Sequence, residues 1–567
     1  MVQINTVSGY QYITSAKNRP FLVALILGII INIAGITTDF FTNDPALYGL
    51  IARNMVQSHN YIDLVYRGKD WLDKPHFPFW VVALSFKLFG ANTIAYKLPG
   101  VLFYFISVRY TYLLAKKFYS VETAFIAALI LLTAQHAIMS NTDVRAEPYI
   151  MGLLMGGVYY FVCLKEKFSI WQLIIGSLFT ACAVMTKGIY LLIPVGFAII
   201  GDYIFKRDFK GLFQWRWLLV MVLVAIFTLP EIYTLYVQFD LHPEKVVFGH
   251  THVSGIRWFL WDSQFGRFNN TGYISRPEHD YFFFLHTLLW AFAPWAFLLY
   301  AAIFLNIRKI FQRIAQPEYI ALCGALPMLV IFSISQFQLP FYTNILFPFF
   351  AMITATFVAN VVKDNRNLYF KIVQFAVSPL FIILALGVAF VFNYPLNHNY
   401  FLFFNGVVWA AVWYCLRSTT ITKGLFLFSG LSAILVNTVL ICNVYPGLLQ
   451  YRGEVQAPKY INQYIPSSKR VIAAFDVPDS FEFYTKRPVE FMKLDSVMAE
   501  RTKNKVVLIE DTLMKHIQKE HIQYVLLQKF DNFPQEVINR QFLNEDERYK
   551  TLNHYYLIQI DNPYGNR

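Results

Sequence analysis

Charge is scarce in this chain. Asp, Glu, Lys and Arg make up 15% of its 567 residues, against roughly 25% in an ordinary soluble domain. Beside 56% hydrophobic and 18% aromatic content, that scarcity excludes an ordinary water-soluble protein of this length. Cysteine is scarce as well. Cys163, Cys182, Cys323, Cys415 and Cys442 all lie in apolar runs without metal-ligand spacing, so neither disulfides nor a cysteine-held metal are expected. Internal repeats and low-complexity segments are absent. No small-residue cleavage site follows the first apolar run after Lys17 and Arg19, so it reads as a retained helix rather than a signal peptide. The net charge of +13 resides in clusters between apolar runs, where a membrane protein needs it for orientation. No nucleic-acid partner is expected.

What is present is apolar sequence in long stretches. Residues 21–34 already form part of a run of the length a bilayer span needs, roughly 20 residues. The pattern predicts a polytopic α-helical membrane protein with thirteen transmembrane helices, the first near 20–38 and the last near 424–446. Basic clusters at Lys116-Lys117, Lys165 with Lys167, Lys206-Arg207, Arg308-Lys309, Lys363 with Arg366, and Arg417 with Lys423 all fall on one side of this path. Taking that side as the cytoplasm places the N-terminus there too. The apolar stretch 78–90 is short and reads as an interfacial or re-entrant helix.

The path leaves loops 39–96, 140–146 and 236–281 outside, and long loops in compact domains are usually functional. It divides the chain into a membrane domain, residues 1–450, and an extracytoplasmic α/β domain, 451–567. The latter is polar, with β-like runs at 471–475, 505–509, 524–528 and 555–560 and a helical pattern at 511–518.

Nearly every charged residue with chemical potential falls on the outer side. Asp44-Pro45 reads as a helix cap followed by proline, and equally as a carboxylate held at the membrane surface as general base. Asp73-Lys74-Pro75, among aromatics, suits an interfacial anchor or a phosphate site with Lys74 as a point charge. Asp143 and Glu147 share a face if their turn is helical, and Glu147-Pro148 marks a helix start. Lys187 interrupts a nearly continuous apolar stretch. It either snorkels to the interface or meets a partner such as a lipid phosphate. Arg267 lies in the long loop 236–281. Tyr342, after Leu339-Pro340-Phe341, is a belt residue or a ligand. His250 and His252 have no evident third ligand.

Taken in order, these motifs resemble the membrane glycosyltransferases that use polyprenyl-phosphate sugars, a group with a C-type fold that includes aminoarabinose transferases and protein O-mannosyltransferases. Asp44-Pro45-Ala46-Leu47-Tyr48 resembles the catalytic first-loop segment, although Pro45 stands where a second acid is common. Asp73-Lys74-Pro75 is similar to the acid-Lys-Pro element, and Glu147-Pro148 to the second-loop acid-Pro. Thr186-Lys187-Gly188, Arg267-Phe268 and Leu339-Pro340-Phe341-Tyr342 resemble the phosphate-binding elements, with Gln338 where a basic residue often stands.

The resemblance implies an inverting glycosyltransferase on the outer face of the bacterial cytoplasmic membrane. Its donor is a polyprenyl-phosphate sugar such as an undecaprenyl one, and its acceptor is lipid A, a protein or a glycan. Asp44 is then the base, and Glu147, with Asp143, orients sugar or acceptor. Asp73, Lys74, Lys187, Arg267 and Tyr342 bind the donor, the cations taking its phosphate. No cofactor is required by the pattern; a divalent metal is left open, with carboxylates as its only ligands. The alternative from another class is a flippase for lipid-linked sugars. It predicts inverted or parallel repeats and helices broken at the midplane, and the sequence shows neither.

Overall fold

The computed structural model describes residues 9–269, 279–365, 367–392, 398–499, 504–534 and 538–560. Arg366 and residues 270–278 of the loop 236–281 lie outside these. The long apolar runs fold as helices, the conformation that satisfies every backbone polar group within the segment. Among the described residues, eight helices are long and apolar enough to cross a membrane. A ninth results if Val121–Leu132 and Gln135–Thr142, bent by 54°, are counted as one span.

All thirteen expected stretches are helical over most of their length. Several are short or broken, among them Ile320–Ile334 and the pair Phe283–Ala291 and Ala296–Phe311. Residues 78–90 form the short helix Phe77–Phe89. Large apolar side chains stay exposed along the helices, with Met221 at 63%, Ile383 at 63% and Phe375 at 72%. A soluble monomer rarely leaves so much contiguous apolar surface uncovered, whereas a lipid-facing belt requires it.

The first long loop, 39–96, carries regular structure. It contains the helix Asn43–Ser58 and a hairpin of β1 (Val65–Tyr66) and β2 (Lys69–Asp70). The hairpin was not foreseen. Its two-residue turn, Arg67-Gly68, takes φ of +46° and +74°, the backbone that tight hairpins need at both central positions.

The C-terminal region forms a five-stranded sheet: β3 (Arg470–Ala473), β4 (Val489–Phe491), β5 (Lys505–Glu510), β6 (Tyr524–Asn532) and β7 (Asn553–Ile560). The order is β4-β3-β5-β7-β6, with β3 parallel to β4 and β5, and β7 antiparallel to β5 and β6. Alternation sends Val471, Ala473 and Leu508 into one buried cluster and Ile472, Val507 and Ile509 into another, the period-two pattern of a sheet covered on both faces. Four strands match the β-like runs; β4 had no such signal.

This region packs onto the first loop through the helix Asp479–Tyr484. Gly49 makes the approach feasible, since a Cβ there would stand 2.6 Å from Phe483 Cε2.

Candidate functional site

Helices Glu147–Glu166 and Ile170–Lys187 follow one another with a short connection, so they run antiparallel and the start of one meets the end of the other. That geometry brings Glu147 to Lys187, with Nζ 2.6 Å from Oε1 and both side chains almost wholly buried. An acid in a first turn and a base in a last turn each complement the helix dipole. Lys187 therefore does not snorkel. Its ammonium also stands 4.2 Å from the Tyr342 ring centre and 5.5 Å from that of Phe341, within cation–π range. Gly188, at φ +124°, ends the helix directly after it.

Beside this pair lies a second charged group. Asp73 Oδ2 is 2.5 Å from Lys74 Nζ, and Oδ1 pairs with Arg267 Nη2. Burial alone would raise the Asp73 carboxyl, but Lys74 and Arg267 hold it below the ordinary carboxylate value. Burial draws Lys74 below the usual lysine value. One carboxylate thus serves two cations. Arg267 Nε is buried and has no acceptor among the described residues, so a guanidinium edge is left to meet an anion.

The loop bearing Lys74 is braced from below. His76 and Glu231 are both fully buried: the His76 amide donates to Glu231 Oε2 at 2.9 Å, and Nδ1 lies 3.0 Å from Oε1. His76 Nε2 is 2.8 Å from the Ile62 carbonyl oxygen.

Asp44 was open to two readings, a helix cap and a carboxylate held as base, and the structure does not use it as the cap. Instead the helix begins at Asn43 with Thr42 as N-cap, and Asp44 sits inside the first turn with a half-exposed carboxylate. Its Oδ2 is 3.2 Å from Arg145 Nη1, and Arg145 lies 4.7 Å over the Phe341 ring. Arg145 links the Asp44 and Lys187 groups through that shared ring. It was not assigned from the sequence as a site residue, although it stands between Asp143 and Glu147.

The expectation that Asp143 and Glu147 share a helical face is corrected. Residues 143–146 are not helical, and Glu147 opens a new helix. The two carboxylates accordingly do different things. Asp143 Oδ1 accepts from the Phe41 amide at 3.2 Å and Oδ2 from the Thr42 hydroxyl, so it fixes the segment leading into Asp44.

Asp44, Asp143, Arg145 and Glu147 line a cavity of about 1370 Å³, whereas Asp73, Lys74, Lys187 and Arg267 are not among its lining residues. His136 enters it with Nδ1 2.7 Å from Asn344 Oδ1, a contact between residues 208 apart that sequence reading missed. His250 and His252 are exposed, and among the described residues no three His, Cys, Asp or Glu side chains are grouped to hold a metal. Asp44, Asp73 and Glu147 are each already paired with a side-chain cation, a donor set that does not fit a divalent ion.

The C-terminal region reaches this site from outside the membrane bundle. Arg67, from the hairpin turn, pairs with Asp476, Asp479 and Glu482 at 2.9–3.1 Å and lies 4.1 Å over Phe491. Arg53 also pairs with Glu482 at 3.4 Å. No feature of local spacing announced these contacts.

The model of the dolichyl-phosphate-mannose-protein mannosyltransferase family matches residues 73–233. An uncharacterized protein of Aquifex aeolicus is 25% identical over 363 residues, covering 62% of this chain and 66% of that one. An undecaprenyl phosphate-alpha-4-amino-4-deoxy-L-arabinose arabinosyl transferase of Pseudomonas fluorescens is 28% identical over 310 residues, covering 53% and 50%. The chain thus spans between half and two thirds of the length of these relatives. Among solved structures, ArnT from Cupriavidus metallidurans bound to undecaprenyl phosphate superposes with a TM-score of 0.72 at 14% identity, over 98% of this chain and 100% of that one. The Archaeoglobus fulgidus oligosaccharyltransferase gives 0.52 at 11% identity, over 88% and 70%. The chain has the fold of these membrane glycosyltransferases, and its sequence resembles the family that uses polyprenyl-phosphate sugars.

Proposed function

We propose that this protein is an inverting glycosyltransferase that moves a sugar from a polyprenyl-phosphate donor to a lipid A, protein or glycan acceptor. The observation that carries this reading is the surplus of cations around Asp73. Lys74 and Arg267 share that single carboxylate, and Arg267 Nε is left without an acceptor among the described residues. A lipid phosphate satisfies both the charge and the orphaned donor. The relatives that act with undecaprenyl-phosphate sugars support the same donor class.

In the reaction, the sugar's anomeric carbon faces the cavity while the phosphate rests on Lys74 and Arg267, with Lys187 nearby. Negative charge grows on the departing phosphate as the glycosidic bond breaks, and preorganised cations stabilise it most at that point. Asp44, half-exposed at the cavity wall, takes the acceptor proton. Glu147 holds Lys187 in place, and Tyr342 lies beneath it. Asp143 keeps Asp44 in register by binding residues 41 and 42. The family resemblance implies a single displacement with inversion, in which Asp44 acts on the acceptor and no carboxylate serves as nucleophile at the sugar.

The same reading places the thirteen helical stretches across the bacterial cytoplasmic membrane. The N-terminus is cytoplasmic, residues 1–450 form the membrane domain, and residues 451–567 form an outer domain over the active site. The test is mass spectrometry of purified protein in detergent with a panel of polyprenyl-phosphate sugars and a membrane extract. Wild type releases polyprenyl phosphate and adds a sugar mass to an acceptor, and Asp44→Asn does neither. Lipid-linked sugar crossing leaflets unmodified in liposomes would replace this reading with a transporter.

A further inference from the structure

At the end of the bundle away from the candidate site, two helices frame a cleft. The helix Phe347–Asp364 begins shortly after Tyr342 and reaches Asp364 about 27 Å further on, at 1.5 Å per residue. It packs against Ala296–Phe311, and their last turns enclose a cavity of about 250 Å³. Ala302, Leu305, Asn306 and Lys309 line it from one helix, a spacing that puts all four on a single face. The polarity of the wall is graded. Ala302, Leu305 and Phe357 lie toward the bilayer interior, whereas Lys309, Asn360 and Asp364 stand at the helix ends, where Asn367 closes the mouth.

Lys309 and Asp364 both line this cavity, yet neither forms an ion pair with the other or with any other described residue. The amides keep capacity as well. Asn360 makes no side-chain hydrogen bond among the described residues. Asn306 donates Nδ2 to the Ala302 carbonyl oxygen at 2.8 Å, which leaves its Oδ1, and Asn367 Oδ1 accepts from the Phe370 amide at 2.9 Å, which leaves its Nδ2. Both helices present their C-terminal ends here, whose partial negative charge favours a cation. The space is several times the share of one water molecule, about 30 Å³. Phe304 and Phe311, on the same helix as Lys309, are 64% and 84% exposed, so this side of the bundle faces lipid. What fits such a cleft is an anion for Lys309, a cation with N–H donors for Asp364 and the amide oxygens, and an apolar tail for Leu305 and Phe357.

We propose that this cleft binds a membrane phospholipid whose headgroup joins a phosphate to a primary ammonium, as in phosphatidylethanolamine, on the membrane face opposite the candidate active site. The phosphate meets Lys309 as a point charge and takes a hydrogen bond from Asn367 Nδ2. The ammonium donates to Asp364 and the Asn360 amide oxygen at the helix ends, and the acyl chains run along Leu305 and Phe357. A quaternary choline ammonium has no N–H to donate, and a glycerol headgroup carries no positive charge. Each therefore leaves the acceptor half of the cleft unsatisfied. A lipid held only by the packed pair of helices stabilises that packing.

Headgroup competition tests this. Full-length protein, stripped of lipid in detergent, is mixed with equal amounts of phosphatidylethanolamine, phosphatidylcholine and phosphatidylglycerol carrying identical acyl chains. The lipid it retains is identified by native mass spectrometry. Wild type is expected to keep phosphatidylethanolamine in about tenfold excess over either competitor. Asp364→Asn loses that preference, and Lys309→Gln retains less of all three. Arg313→Gln, which changes a nearby basic residue outside the cavity lining, behaves as wild type. Equal retention of the three lipids by wild type is the mark of an unselective lipid belt and overturns the proposal. So does a preference for phosphatidylglycerol, which basic surface charge alone would produce, or an unchanged preference in Asp364→Asn. The wild-type comparison decides the matter by itself where a variant fails to fold.

Discussion

Asn43 and Asp479, 436 residues apart, hold each other by two hydrogen bonds. Asn43 Nδ2 donates to Asp479 Oδ2 at 2.7 Å, and the Asp479 amide donates to Asn43 Oδ1 at 2.8 Å. Asp479 also accepts from the Tyr66 hydroxyl and pairs with Arg67 at 3.1 Å. The C-terminal region thereby grips the residue next to Asp44 and the hairpin that follows.

Removing that grip is expected to misplace Asp44 without touching the donor. In Asp479→Ala the lost bonds to a charged group are worth about 1.5–3 kcal/mol. Turnover is expected to fall by roughly tenfold to a hundredfold, while donor affinity stays within about twofold. Parallel measurement of kcat and of donor Kd decides it; a weakened Kd at unchanged kcat contradicts the assignment.

Asp44→Asn keeps the shape of the side chain and removes the base. General base catalysis contributes typically about 10²–10⁴-fold, so release of polyprenyl phosphate is expected to drop by that factor, with the melting temperature unchanged. Rates near wild type would transfer the role to another carboxylate.

Lys187→Met leaves Glu147 charged and buried without its partner. Breaking such a pair costs about 3–5 kcal/mol, and Tm should fall accordingly. The double variant Lys187→Met with Glu147→Gln should recover most of that stability, because no uncompensated charge remains. Donor binding should stay weak in both. Recovery of donor affinity in the double variant would show that Lys187 serves the fold alone.

The Asp73 group sets an acid limit. Its carboxyl is held below the ordinary value by Lys74 and Arg267 against the effect of burial. The stability it contributes is therefore fully present above the unfolded carboxylate value, about 3.9. It is lost only as pH falls through the lower folded value. Thermal unfolding of wild type and Asp73→Asn across pH should show a constant difference in Tm above about pH 5 that closes below about pH 4. A difference that grows on acidification would reverse the sign of the argument.

Much of the site was legible from residue type alone. Lys187 in an apolar run announces a partner, because an ammonium in such surroundings is costly unless paired. Asp73-Lys74 and Glu147-Pro148 are local: the first forms an ion pair and the second opens a helix. Arg145 was visible as a charge, but its role depends on Asp44, 101 residues away, and on the ring of Phe341. The helical pairing of Asp143 with Glu147 failed because a break over residues 143–146 separates them, and a spacing of four means proximity only inside a helix. Strand β4 carried too short an apolar pattern to read.

The sequence by itself determined that the chain is a multi-helical membrane protein, with a polar α/β region after it and charges collected in a few loops. Hydrophobic run length and alternation are local properties, and burial of apolar surface acts on them wherever they occur. Tertiary structure decided which charges meet. It put Lys187 on Glu147, Arg267 on Asp73, Arg145 on Asp44 and Asp479 on Asn43. Those pairings follow from helix packing and from the docking of the C-terminal sheet, because electrostatic partners are chosen by distance in space, which sequence separation does not encode.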